Sequence, residues 1–100
     1  MKKASFYSLA RFENRTVAVL RNGYTDGAFY YFRDERYCNT WNAIHPLCGL
    51  SVAAAYTRKE CAEIAHSLDV LQRISTVLEE RGAELTKAFE RAVTAAKLEV

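Results

Sequence analysis

Thr57-Arg58-Lys59-Glu60 has the form of a capping box. The threonine oxygen can accept from the Glu60 amide, and Glu60 can reach back to the cap. Apolar residues then recur at helical spacing almost to the C-terminus. Counted in sevens, the seam is Cys61, Ile64, Leu68, Leu71, Ser75, Leu78, Gly82, Leu85, Phe89, Ala92 and Ala96. Only Ser75 and Gly82 interrupt it, and the phase survives both. Everything before Thr57 must therefore be something that this helical half can cover.

That earlier part reads as sheet. Loose alternation marks a strand at 4–12, and a β-branched run marks another at 16–21. Asn22-Gly23 and Asp26-Gly27 are both turn dipeptides, so 22–27 is expected to be a turn. Strands follow at 28–33, 40–44 and 50–56, with His45-Pro46 opening a tight connection. The expected fold is α+β, an antiparallel sheet of four to five strands with the helical half packed on one face. One domain spans 1–100, with a sheet half at 1–56 and a helical half at 57–98.

Two layouts suit the helices. One helix from 58 to 96 would be roughly 60 Å long, more than a 55-residue sheet can cover. A break near Arg81-Gly82 would instead give an antiparallel pair, because a mid-helix glycine costs about 1 kcal/mol against alanine. In the first layout, Leu78, Leu85, Phe89 and Ala92 have more apolar surface than the sheet can bury, and self-association as a homodimer is expected through them. The predicted core draws on Phe6, Val17, Val19, Phe29, Trp41, Ile44, Leu50 and Val52 from the sheet. The helices add Ile64, Leu68, Leu71, Leu78, Leu85 and Phe89.

Phe29-Tyr30-Tyr31-Phe32 is aromatic on both faces, although helices on one side need only one. The other face is expected to form an exposed patch among arginines. The candidate partner-binding residues are Arg21, Tyr24, Tyr31, Arg33, Arg36 and Tyr37. Tyrosine and arginine are enriched at interfaces, and the same pairing can stack bases and hold phosphates. Charge placement agrees. Residues 1–36 carry seven Lys/Arg against four Asp/Glu, and residues 57–100 carry seven against eight. The basic excess sits on the sheet half, which favours an acidic partner. A net charge of +2 is low for a dedicated nucleic-acid binder.

Cys38, His45, Cys48, Cys61 and His66 raise the question of a metal. Cys61 and His66 are five residues apart on a helix and so point about 140° from one another. They cannot share an ion on one helix, and no C-x2-C pair exists, so no metal site or cofactor is assigned. Cys48 near His45 is the one local nucleophile–base pair, with no third member to orient it. Asp34-Glu35 and Glu79-Glu80 read as solvated surface. No phosphate-loop or dinucleotide motif is present, so no catalytic residue is assigned. Three cysteines cannot all pair within one chain. With no apolar leader at the start, free thiols in the cytoplasm are expected. The nearly uncharged run at 49–56 is too short for a bilayer, so no membrane partner is expected.

Trp41-Asn42-Ala43-Ile44-His45-Pro46, then Gly49-Leu50-Ser51-Val52, then Thr57-Arg58-Lys59-Glu60-Cys61 resembles the strand–turn–strand–helix core of small phage and mobile-element proteins. Some of these are anti-defence inhibitors of the anti-CRISPR type. The likeness covers about a fifth of the chain and transfers no functional residue. It implies a compact non-enzymatic binder that inhibits a larger host protein or protein–nucleic-acid complex. The alternative is a small single-stranded nucleic-acid-binding module that uses the aromatic and arginine sheet surface.

Overall fold

The computed structural model describes residues 1–36 and 39–98. Its first element is a long hairpin of β1 (Lys2–Phe12) and β2 (Arg15–Thr25). The tip is Glu13-Asn14, both at positive φ (47° and 67°), as a two-residue hairpin turn with the right twist requires. β2 does not stop at Arg21 but runs through Asn22-Gly23 to Thr25. Gly23 serves close approach rather than turning, since a Cβ there would sit 2.0 Å from the Tyr31 carbonyl oxygen. The turn belongs to the second dipeptide. Asp26 Oδ1 accepts the Ala28 and Phe29 amides at 2.9 Å each, and Gly27 takes φ +94°.

β3 (Tyr30–Asp34), β4 (Thr40–Ile44) and β5 (Ser51–Ala55) complete an antiparallel sheet in the order β1-β2-β3-β4-β5. Eleven register pairs join β1 to β2, but only Tyr24↔Tyr31 and Thr25↔Tyr30 join β2 to β3. So short a seam lets the hairpin swing over the rest of the sheet. The Phe6 ring stacks on Tyr30 at 4.6 Å and tilts against Phe32 at 6.2 Å. At the outer edge of β1, the Leu9 amide donates to the Gly49 carbonyl at 2.9 Å, in the β4–β5 connection.

This curl overturns the expected exposed aromatic face. Phe29 and Tyr31 join Ala43 and Ala53 in a core under the first helix, while Phe32 and Ile44 pack under Phe6 of the hairpin. Both faces of β3 are covered. A flat sheet would have left one open.

The helices are α1 (Arg58–Ala65) and α2 (Leu68–Leu98). Thr57 caps α1 as expected, its Oγ1 accepting the Glu60 amide at 3.1 Å. The helical half is two helices, as one of the two layouts expects, but the break falls at His66-Ser67 and not near Arg81-Gly82. Ser67 Oγ donates to the Ile64 carbonyl at 2.7 Å and accepts the Val70 amide at 3.4 Å, closing one helix and opening the next. α2 then runs unbroken through Gly82, about 46 Å at the standard rise. Among the described residues no helix is long and apolar enough to cross a membrane.

Moving the break changes what is buried. α1 buries Cys61 and Ala65, whereas Ile64, Leu68 (72% exposed) and Leu71 (41% exposed) are open to solvent, as is Leu50. The core assignment of these four is therefore corrected: the Ser67 cap re-phases the seam at Leu68 and Leu71, Ile64 falls in the last turn of α1, and Leu50 lies in the β4–β5 connection. From Leu78 onward the register stands. Leu78, Leu85, Phe89 and Ala92 are half-buried. The Phe89 ring lies where a Cβ on Gly49 would fall, and Ala92, Ala95 and Ala96 flank Arg15–Ala18 of β2. The residues expected to mediate self-association thus contact the chain's own sheet, which the helix reaches by crossing it from β5 towards β1 and β2.

An alanine Cβ at position 82 would meet only the Leu78 side chain, at 3.7 Å. Gly82→Ala should therefore raise stability by up to about 1 kcal/mol in urea unfolding. Leu71→Ala should cost less than about 1 kcal/mol, well short of a buried leucine. A loss from Gly82→Ala would contradict an unbroken α2.

Candidate functional site

Strand alternation divides the six predicted partner-binding residues. Tyr24 pairs with Tyr31, and Arg33 pairs with Trp41, so these share the face covered by α1. Arg21 pairs with Phe6 and faces the other way, beside Phe32. Arg36 follows β3 and is exposed, and Tyr37 lies outside the described residues. Tyr31 is wholly buried, 0% exposed, and offers no contact surface. One expected surface is in fact two, on opposite faces.

On the α1 face, the Tyr24 and Trp41 rings are 6.1 Å apart, tilted by 47°. The Arg58 guanidinium lies 4.3 Å from the Tyr24 centroid and 5.7 Å from that of Trp41. Such a contact contributes about 0.5–2 kcal/mol according to its solvation. Arg58 is in place because Thr57 caps α1 and makes it the first helical residue. Exposed Lys3 and Arg33, opposite Tyr24 and Trp41 in the register, bring two more cations to this face. The sequence reading places Trp41 in the core and Arg58 in the capping box, and neither among the candidate contact residues. Their shared face could be found only by knowing the register.

The other surface is a cleft of about 380 Å³ between the hairpin and β3–β4. Arg11, Arg21 and Arg36 line it with Phe12, Phe32, Asp34 and Asn42. Arg21 is held in place: its Nε donates to Ser8 Oγ at 3.0 Å, and its guanidinium sits 4.5 Å from the Phe32 centroid. Ser8 is itself buried. Asp34 Oδ1 accepts the Arg36 backbone amide at 3.1 Å. Among the described residues, none of the three guanidiniums is within ion-pair distance of a carboxylate. Three cations against one carboxylate leave the lining positive.

The polar residue with most partners is Asp26. Its Oδ2 accepts from the Tyr31 hydroxyl at 2.5 Å and lies 2.8 Å from His66 Nε2, while Oδ1 takes the two turn amides. Burial alone would raise the carboxyl pKa, but these hydrogen bonds outweigh it and hold it well below the usual carboxylate range. Tyr31 moves the opposite way, raised by burial first and then by the Asp26 carboxylate.

The thiols and the second histidine lie elsewhere. Burial pushes the Cys61 thiol up to about 11, and its Sγ lies 3.7 Å from the Ala53 carbonyl. Cys61 is thus in the core, whereas His66 is on Asp26. Burial lowers the His45 pKa, and its Nδ1 accepts the Leu47 amide at 3.2 Å. His45 and Cys48 line an apolar groove of about 210 Å³ with Leu50, Val70, Ile74 and Val77. Cys38 lies outside the described residues. No group of three or more His, Cys, Asp or Glu among those described could hold a metal ion.

Compared with known proteins, the chain matches no family model, no curated protein and no solved structure.

Because the folded Asp26 pKa is depressed, its contribution to stability is fully present above the unfolded value of about 3.9 and is lost as pH falls through the folded one. Urea unfolding should show stability falling below about pH 4. Asp26→Asn should cost about 1–3 kcal/mol at pH 7 and flatten that acid limb. An acid limb unchanged in the variant would assign the loss to other carboxylates.

Proposed function

We propose that this protein is a non-enzymatic interaction module that docks on a larger macromolecular assembly and inhibits it. The observation that carries the reading is the Tyr24–Trp41–Arg58 cluster, two rings roofed by one guanidinium and flanked by Lys3 and Arg33. Tryptophan, tyrosine and arginine dominate interface hot spots because each offers a large, stiff area with a polar end. Held on a sheet and a capped helix, these three lose little freedom on binding. The cations favour an acidic patch on the partner. Trp41 and Arg58 also lie within the stretch that resembles small anti-defence proteins of phages and mobile elements, which supports an inhibitor as the form the interaction takes.

The test is capture of partners from a host carrying defence complexes, comparing wild type with an Arg33→Glu, Arg58→Glu double variant. Arg33 is exposed, and a glutamate in the first turn of α1 favours the helix, so the variant should fold. Wild type should recover a large assembly and the variant should not, while still unfolding in one cooperative transition at a somewhat lower melting temperature. Equal recovery by both would remove this cluster as the contact surface.

A further inference from the structure

We infer that the arginine cleft on the opposite face is a binding site for a phosphate-bearing ligand with an aromatic ring, of mononucleotide size. The inference goes beyond the docking reading and shares no residue with it. The charge comes first. Arg11, Arg21 and Arg36 line one cleft and none is in an ion pair among the described residues, and guanidinium forks match phosphate oxygens two at a time.

Arg21 is also prepared for the task. Its Nε is taken by Ser8 and its guanidinium rests over Phe32, and neither contact uses the terminal nitrogens. Burying a serine to hold an arginine has a desolvation cost that an apolar pair would avoid, so the contact is better explained by what Arg21 holds than by stability. The size fits as well. A volume of about 380 Å³ is at the lower end of ligand sites, enough for one nucleotide and too small for two joined.

Ring contacts are available on Phe12, an exposed aromatic in the cleft wall. Asn42 supplies an amide with both donor and acceptor for a base edge, and the single carboxylate, Asp34, can accept from a sugar hydroxyl. The same chemistry is carried by a free mononucleotide and by the phosphorylated end of a single strand.

Calorimetric titration of the full chain at physiological salt separates these. The probes are the four ribonucleoside 5′-monophosphates, the matching nucleosides, inorganic phosphate, and a hexanucleotide with or without a 5′-phosphate. At least one monophosphate, or the phosphorylated hexanucleotide, should bind ten or more times tighter than its unphosphorylated form and than inorganic phosphate. Saturation by the free nucleotide makes that the source, and binding only of the phosphorylated strand makes it a strand end. Either supports the site. Arg11→Gln and Arg21→Gln should each weaken binding by about tenfold, while Lys59→Gln, an exposed site in α1 on the other face, should leave it unchanged. Arg11 is exposed, so its variant keeps the fold even if Arg21→Gln does not. Equal binding of phosphorylated and unphosphorylated forms, no binding at millimolar concentration, or equal weakening by Lys59→Gln would overturn the inference.

Discussion

The Asp26 carboxylate holds together three parts of the chain that are otherwise joined loosely. It closes the β2–β3 turn through the Ala28 and Phe29 amides, receives the hydroxyl of the buried Tyr31, and meets His66 at the end of α1. Without it, Tyr31 would be a buried hydroxyl with no partner, and an unsatisfied buried polar group costs more than a satisfied one contributes. The His66 ring also stands edge-on to Phe29 at 5.1 Å, so the polar contact and the apolar core meet at one point. The junction ties the C-terminal end of α1 to the β2–β3 turn, one residue before the Ser67 cap that opens α2.

A second constraint is the short seam between β2 and β3. Two register pairs are enough to keep the sheet continuous and too few to keep it flat. The long hairpin therefore bends across the face that α1 does not cover, and Phe6 fills the space over Tyr30 and Phe32. Stacked pairs of this kind contribute about 0.5–1.5 kcal/mol beyond the area they bury. The bend has a further consequence. It creates a concave wall between Phe12 and Asn42, and a cleft exists only because the hairpin arches over β3 and β4. α2 crosses the outside of the arch and seals its edge at Gly49, where the Phe89 ring leaves no room for a Cβ and φ is +69°.

Both proposed sites rest on surface features of the sheet. The cluster on the α1 face is half-buried, with the Arg58 guanidinium lying over its two rings. The cleft on the other face is narrower and more polar, with one arginine held in advance. They differ in what they can recognise. An aromatic cluster gains by excluding water from its contacts, while a cleft with a fixed arginine gains by matching the geometry of an anion. One curled sheet with a different covering on each side presents both.

Much of this was legible from residue order alone. The class, the antiparallel sheet, β4 and the capping of α1 by Thr57 depend on short-range chemistry: side-chain alternation, β-branching, and a hydroxyl three residues before an amide. Gly23 and Gly82 show the limit, since a glycine signals freedom without saying how it is used. In the fold the first admits a neighbouring carbonyl and the second merely continues a helix. Ser67 carried a readable cap signal, but Ile64, Leu68 and Leu71 kept the apolar period running across it, and the period was followed instead. The burial of Tyr31 and the separation of Arg21 from Arg33 could not be read locally. They depend on pairing register and on where the hairpin comes to rest, which are contacts between residues distant in sequence. Residue order determined the elements and the basic, aromatic character of the sheet half. Tertiary packing decided which of those residues face water, because only the curl of the sheet determines what covers each face.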